Sequence, residues 1–334
     1  MGSKLKDVAA LAGVSVRTVS NVVNNPSAVA EATRERVLAA IAQTGYRPNL
    51  AARYLRQGRT GQIGLVIPEV GSPYFGELAG LLIEKAHARG WTVLIDQTAG
   101  QAERERRLLS GAEGHVVDGL IISPWSLAPS EIGRLAGTTP VVVLGEIDPG
   151  GTADHLAIDN VAAAREATRH LIGRGARRPA AIGLQPTLCN GTAALRLRGY
   201  REALEEAGIR PEPAYEVDVT SLHRPEGHRA MRLLLELPGP PDAVFCFTDE
   251  LALGALRAAF EAGLRVPGDL SLVGFDDIED GRYATPGLST VSPDKDALAD
   301  RSLQLIADRL YGRLDALPAR HVTTPHRLIH RETS

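Results

Sequence analysis

The chain has 334 residues, a length that suits about two domains, each able to bury its own core. With 44% hydrophobic and 23% charged residues and no apolar run near the ~18 residues of a bilayer span, the sequence excludes a disordered or membrane-spanning chain. The net charge of -3 hides a split, because residues 1–60 hold nine Lys or Arg against three Asp or Glu and the remainder is acidic. A nucleic-acid-binding module joined to an acidic body gives such a split, as does a solvated basic face with no partner. The N-terminus lacks an apolar core of signal-peptide length, so the cytoplasm is the expected location. Cys189 and Cys246 fit no metal-ligand spacing and no disulfide framework, and both read as buried thiols.

Leu5, Val8, Ala9 and Ala12 recur at spacings of three and four and predict a helix over 5–12 that Gly13 ends. Ser15 can cap a second helix over 16–24, with Val19, Val22 and Val23 facing inward. The short Gly13-Val14-Ser15 connection is the turn of a helix-turn-helix. On the exposed face of the second helix Arg17 and Asn21 stand one turn apart beside Val16, within reach of base edges. A third helix is expected over 31–43, burying Val37, Leu38 and Ile41 and stopping at Gly45. Asn49 can cap a further helix to Gln57, but nine residues fall short of the roughly 12 to 15 that an isolated helix needs, so it frays without support.

From Gln62 strands and helices alternate. Strands are expected over 63–67, 91–95, 119–123 and 141–144, with a helix over 74–89. A second series starts near Leu156, with strands over 180–184, 215–219, 243–247 and 270–275 between helices over 161–172, 193–206, 224–236 and 250–262. A helix over 295–311 and a strand-like tail over 320–329 remain, one for each lobe. The scheme is an α/β body of two parallel sheets with helices on both faces, whose ligands bind outside the carboxyl ends of the strands. There stand Tyr74, Phe75, Ser123, Thr248, Asp249 and Asp276. The acidic run 276–280 reads as a solvated loop, and His223 and His228 as surface residues. Phosphate-loop, nucleophile-elbow, dinucleotide and zinc-protease motifs are absent, so no catalytic residue, cofactor or metal is assigned.

Leu5-Lys6-Asp7-Val8-Ala9, Ala12-Gly13-Val14-Ser15, Thr18-Val19-Ser20, Val23-Asn24, Thr33-Arg34 and Gly45-Tyr46-Arg47-Pro48-Asn49 together resemble the head of the LacI/GalR family of bacterial transcriptional regulators. Ser72-Pro73-Tyr74-Phe75, Ile158-Asp159-Asn160, Arg196-Leu197-Arg198-Gly199-Tyr200, Thr248-Asp249 and Val273-Gly274-Phe275-Asp276-Asp277 extend the resemblance through the body. It implies a small all-α helix-turn-helix head over 1–48, a hinge helix and linker over 49–60, and a two-lobed periplasmic-binding-protein-like body over 61–334 that binds effector and dimerises. The first lobe would comprise 61–157 and 292–318, the second 158–291 and 319–334. It further implies that Val16, Arg17 and Asn21 read bases while Ser15, Thr18, Ser20, Asn24 and Thr33 approach phosphates. Asn49, Ala52 and Leu55 would lie in the minor groove, with Leu55 as the wedge.

By the same resemblance Tyr74, Phe75, Ser123, Trp125, Arg196, Leu222, Thr248, Asp249 and Asp276 line an effector cleft, with Arg196 and Asp276 gripping the ligand. Four positions depart from the family pattern: Lys4 stands where an N-capping Thr is usual, Val16 replaces a polar or aromatic residue, Asn21 stands for a common Arg, and Leu222 for an aromatic. Trp125, Phe75 or His223 would then supply the flat surface. The implied function is a homodimeric repressor of carbohydrate-utilisation genes on a near-palindromic operator, answering to a small molecule, a sugar, with no membrane association. A corepressor-dependent regulator responding to a non-sugar metabolite is the alternative. An exported sugar-binding protein would explain the body and leave the basic head unexplained.

Overall fold

In the computed structural model, which describes residues 4–24, 28–46, 59–112, 116–186, 191–312 and 318–334, the chain divides into the units Met1–Thr60 and Gly61–Ser334. The first holds α1 (Leu5–Ala12), α2 (Val16–Asn24) and α3 (Glu31–Thr44). Lys4 offers no side-chain acceptor at the start of α1, and Asp7 compensates by accepting the Lys4 amide at 2.7 Å, half of a capping box. Gly13 ends α1 at φ 63°, a left-handed conformation that glycine adopts without steric penalty. The Ser15 hydroxyl accepts the Thr18 amide at 3.0 Å and caps α2. Val8, Val19 and Val37 are fully buried in a core that Ala12, Val22, Ala40 and Tyr46 complete. Leu38 corrects the expectation for the third helix: it is 51% exposed, because Val37, Ala40 and Ile41 already occupy the inward stripe. The 49–57 segment with Asn49, Ala52 and Leu55, and Cys189, lie outside the described residues.

The second unit carries two sheets. The first is built from β1 (Gln62–Ile67), β2 (Thr92–Gln97), β3 (Gly119–Ile122), β4 (Val141–Leu144), β5 (Asp154–Ile158) and β11 (His321–Thr324), in the order β11-β5-β4-β3-β1-β2, all parallel. The second comprises β6 (Pro179–Leu184), β7 (Glu216–Asp218), β8 (Ala243–Cys246), β9 (Ser271–Phe275), β10 (Ser289–Pro293) and β12 (His326–Ile329), ordered β12-β10-β9-β8-β6-β7. Its β12 runs antiparallel to β10, so this sheet is parallel-dominated rather than wholly parallel.

Two expectations change here. The tail is not one strand: β11 joins the first sheet and β12 the second, which moves 321–324 out of the lobe assigned to 319–334. β10 went unanticipated because Ser289 and Thr290 do not look like core. Their polarity is absorbed by partners distant in sequence, the Ser289 hydroxyl accepting the Arg331 amide and the Thr290 hydroxyl donating to Asp249 Oδ1.

The chain crosses between the sheets at 158–160, 293–295 and 324–326. After the second crossing a helix, Lys295–Tyr311, returns to the first sheet and buries Leu298, Ala299, Leu303 and Ile306 with Ile63, Leu82 and Ile121. A Cβ on Gly119 would stand 2.6 Å from Ile306 Cγ2, so only glycine allows this approach. Among the described residues no helix is long and apolar enough to cross a membrane.

Candidate functional site

Val16, Arg17 and Asn21 are all exposed on α2, and Thr18 and Ser20 are half-buried behind them. Ser15 Oγ lies 2.9 Å from the Thr18 hydroxyl as well as capping its amide, so hydroxyls and free amides gather where the helix dipole favours an anion. Thr33 sits half-buried in the first turn of α3. Asn24 closes α2.

In the body a cavity of about 320 Å³ opens at the carboxyl ends of the strands of both sheets, the location that parallel α/β topology dictates. Tyr74, Phe75, Ser123 and Trp125 line it from the first lobe, and Arg196, Leu222, Thr248 and Asp276 from the second. Asp249 does not. It is fully buried behind the wall, where Oδ2 accepts the Ile278 amide at 2.9 Å and Oδ1 the Thr290 hydroxyl at 2.6 Å. Burial, with Asp276 and Asp277 nearby, raises its pKa. Asp249 therefore shapes the site instead of lining it, a correction to the expected effector set.

The loop it holds begins with Asp276 at φ 118° and Asp277 at φ 50°, backbone angles that a non-glycine residue keeps only when its surroundings impose them. Val291 O accepts the Asp276 amide at 2.8 Å, and Lys295 Nζ donates to the carbonyls of Asp276 and Asp277 at 2.8 and 2.9 Å. Arg331, Arg282 and Ser292 bind the Asp277 carboxylate. The start of the 276–280 run is thus a buried turn with its backbone hydrogen-bonded, and not the solvated loop expected. Desolvation pushes the Asp276 carboxyl from the ordinary 3.8 to about 7, against the pull of Arg196 and Lys295 and with Glu250 and Glu146 adding repulsion.

Arg196 is buried with its guanidinium 3.4 Å above the Phe275 ring. Its Nε donates to Asn160 Oδ1 at 2.8 Å and Nη1 to the Phe247 carbonyl. Asn160 Nδ2 donates to Glu146 Oε1 at 2.6 Å, and the Thr192 hydroxyl to Glu146 Oε2. The chain Glu146–Asn160–Arg196 thereby joins the end of β4 to the second lobe. Arg196 and Asp276 make no direct ion pair, and both stand at the cavity wall. Tyr74 and Phe75 meet edge to face at 5.2 Å, and burial raises the Tyr74 pKa, so its phenol stays protonated.

Several residues at the cavity escaped sequence reasoning. Glu146 follows β4 and Gln185 follows β6 as Asp276 follows β9, so the same strand-end rule would have found them. Gln185 Oε1 is buried with no hydrogen-bond partner, the one such side-chain atom among the described residues. His223, expected at the surface though also named as one candidate for the flat face of the cleft, bridges the lobes at the cavity, Nε2 to Glu69 Oε2 at 2.8 Å and Nδ1 to Glu250 Oε2 at 3.3 Å. Buried Glu105 had no sequence signal. It accepts the amides of Trp125, Ser126 and Leu127 at 2.8, 3.1 and 3.0 Å and so presents Trp125 to the cavity.

Residues 4–49 match the family described as bacterial regulatory proteins, lacI family, and residues 168–334 match the periplasmic binding protein-like domain. The HTH-type transcriptional repressor PurR of Escherichia coli is 36% identical over 313 residues, 92% of this chain and 91% of that protein. The solved complex of the transcriptional regulator CelR with cellobiose is 31% identical, covers 99% of this chain and 100% of its own, and superposes with a TM-score of 0.72. The Lac repressor dimer bound to operator and the anti-inducer ONPF is 27% identical over 100% of this chain and 99% of its own, with a TM-score of 0.84.

Proposed function

The chain belongs to the LacI family of bacterial regulatory proteins, and on that premise we propose that the molecule it answers to is an uncharged, hydroxyl-rich one, a sugar. It is a DNA-binding transcriptional regulator with a small-molecule effector. The observation that carries the finer reading is the balance of groups at the cavity. Gln185 Oε1 is a buried acceptor awaiting a donor, and the carboxyl groups of Glu69, Glu146, Glu250 and Asp276 stand there against one guanidinium, Arg196. Such a wall accepts from hydroxyls and repels phosphates and carboxylates. Trp125, Tyr74 and Phe75 offer flat apolar surface where Leu222 cannot, and CelR holds a sugar, cellobiose, in its own complex.

On this reading the protein represses carbohydrate-utilisation genes from the cytoplasm, as a homodimer on a near-palindromic operator, and catalyses no reaction. The Lac repressor dimer on its operator supports the assembly, and two-fold protein symmetry is mirrored in half-site symmetry. Val16, Arg17 and Asn21 read bases. A thermal-shift panel of neutral sugars, sugar phosphates and purine bases tests the effector class. A neutral sugar at about one hundred times its Kd should add roughly 2.7 kcal/mol of stability and sugar phosphates none. Stabilisation by a purine base alone would replace the sugar with the corepressor alternative.

A further inference from the structure

Behind the cavity wall, at the edge of the first sheet, three side chains converge that neither the cleft nor the reading head uses. His155 on β5 and His321 on β11 are register partners in adjacent parallel strands. Their Nδ1 atoms lie 2.9 Å apart, and Asp148, in the loop between β4 and β5, brings Oδ1 to 3.9 Å from His155 Nδ1. All three ligand atoms fall within 4.8 Å of one another.

The hydrogen-bonding pattern fixes the tautomers. His155 Nε2 is 2.6 Å from the Gly145 carbonyl, which can only accept, so Nε2 carries the proton and Nδ1 of the neutral ring presents a bare lone pair. His321 Nδ1 must then be the donor in the contact between the rings. A bond from the far nitrogen of a histidine to a backbone carbonyl is the arrangement that orients a metal ligand. His155 is buried and cannot turn away, whereas His321 and Asp148 are exposed and open to solvent.

We propose that Asp148, His155 and His321 form a binding site for a divalent transition-metal ion of the zinc, cobalt or nickel class, with water completing the shell. Two imidazoles and one carboxylate select these borderline ions over magnesium or calcium, which take oxygen ligands. With metal–nitrogen bonds of about 2.0 to 2.1 Å in tetrahedral geometry the two Nδ1 atoms would stand roughly 3.3 Å apart, so the exposed His321 ring need move only by a few tenths of an ångström. On binding, the proton between the rings leaves His321 Nδ1 and is carried on Nε2 of the same ring. Asp148 stands two residues from Glu146, and the carbonyl that accepts from His155 Nε2 belongs to Gly145, which lines the cavity.

Calorimetric titration of the full chain with zinc chloride, cobalt chloride and magnesium chloride tests this. Zinc and cobalt should bind saturably at one ion per chain through this site, and magnesium should not. His321→Gln should weaken zinc binding at least tenfold, and Asp148→Asn severalfold. His330→Gln, at the other close histidine pair among the described residues, His170–His330, should change nothing. Both ligand variants alter exposed residues, and if one fails to fold the other decides. Unchanged zinc affinity in a folded variant, loss of binding in His330→Gln instead, or the absence of saturable binding in the unaltered chain would overturn the proposal.

Discussion

On α2 the side chains Val16, Arg17 and Asn21 stand in solvent, whereas in the cleft Arg196, Asp276 and Glu146 are engaged or held in place before any ligand arrives. In the head, recognition is separable from folding, since the core of Val8, Val19 and Val37 lies on the opposite side of each helix. In the cleft the two are the same bonds. Lys295 shows it most clearly: its ammonium binds the carbonyls of Asp276 and Asp277 from the second lobe and Glu77 of the first, whose Oε1 also accepts the Glu279 amide at 2.7 Å. A ligand that alters this loop alters the fit between the lobes. Substitutions in the cleft should therefore move stability and ligand response together, and substitutions on α2 should move DNA recognition alone.

The largest expected effect is the pH dependence carried by Asp276. Its folded carboxyl titrates near 7 and the unfolded one near 3.8, so between those values the folded state binds more protons and stability falls as pH rises. The loss should approach about 1.4 kcal/mol per pH unit within that window. A sugar hydroxyl that donates to the carboxylate reverses the preference, so effector affinity should rise up to about tenfold per unit as pH approaches 7 and level off above it. Asp276→Asn should flatten both profiles in urea titrations and calorimetry. A flat profile in the unaltered protein would separate the cleft's stability from its recognition and break the contrast.

Asp249→Ala comes next. It strands the Ile278 amide and the Thr290 hydroxyl in the interior, each at about 1 to 3 kcal/mol, and should lower stability by roughly 3 kcal/mol in chemical denaturation. A folded variant that kept its stability and lost only effector binding would return Asp249 to the ligand-contacting set. By contrast Arg17→Ala should leave stability within about 0.5 kcal/mol. It should remove about 1 to 3 kcal/mol of discrimination at one base pair, read by comparing operator variants in a binding assay. Equal loss on operator and random DNA would make Arg17 a phosphate contact.

How far the sequence reveals each region follows the same division. The three head helices and the exposure of Arg17 and Asn21 were legible, because short-range periodicity and caps decide them, and Leu38 failed only because a three-residue stripe left no room for a fourth. The strand-end rule placed five of its six residues on the cavity wall and misplaced Asp249, which follows its strand equally well but turns inward, while Trp125, Arg196 and Leu222 on that wall were implied by the family resemblance alone. Glu105, β10 and the His155–His321 pair were out of reach, since their partners lie 20 to 166 residues away in sequence and no local pattern encodes them. Polar residues satisfied by distant partners look like surface until the fold brings the partners in.

The smallest prediction tests the head from within. Ser15 and Arg17 sit two residues apart, yet one builds the helix and the other reads through it. Ser15 Oγ accepts the Thr18 amide, so Ser15→Ala should cost about 1 kcal/mol of helix capping, and Ser15→Gly only a few tenths. Because the capped end also presents amides toward phosphate, the loss on DNA should be uniform across sequences, with specificity ratios unchanged. Arg17→Ala should give the converse pattern, stability intact and specificity reduced. A double variant whose effects on operator affinity add within about 0.5 kcal/mol would show that capping and reading are independent. Strong coupling would instead mean that the Arg17 contact depends on the geometry Ser15 imposes, and the head would then resemble the cleft, where each recognising group is part of the structure that holds it.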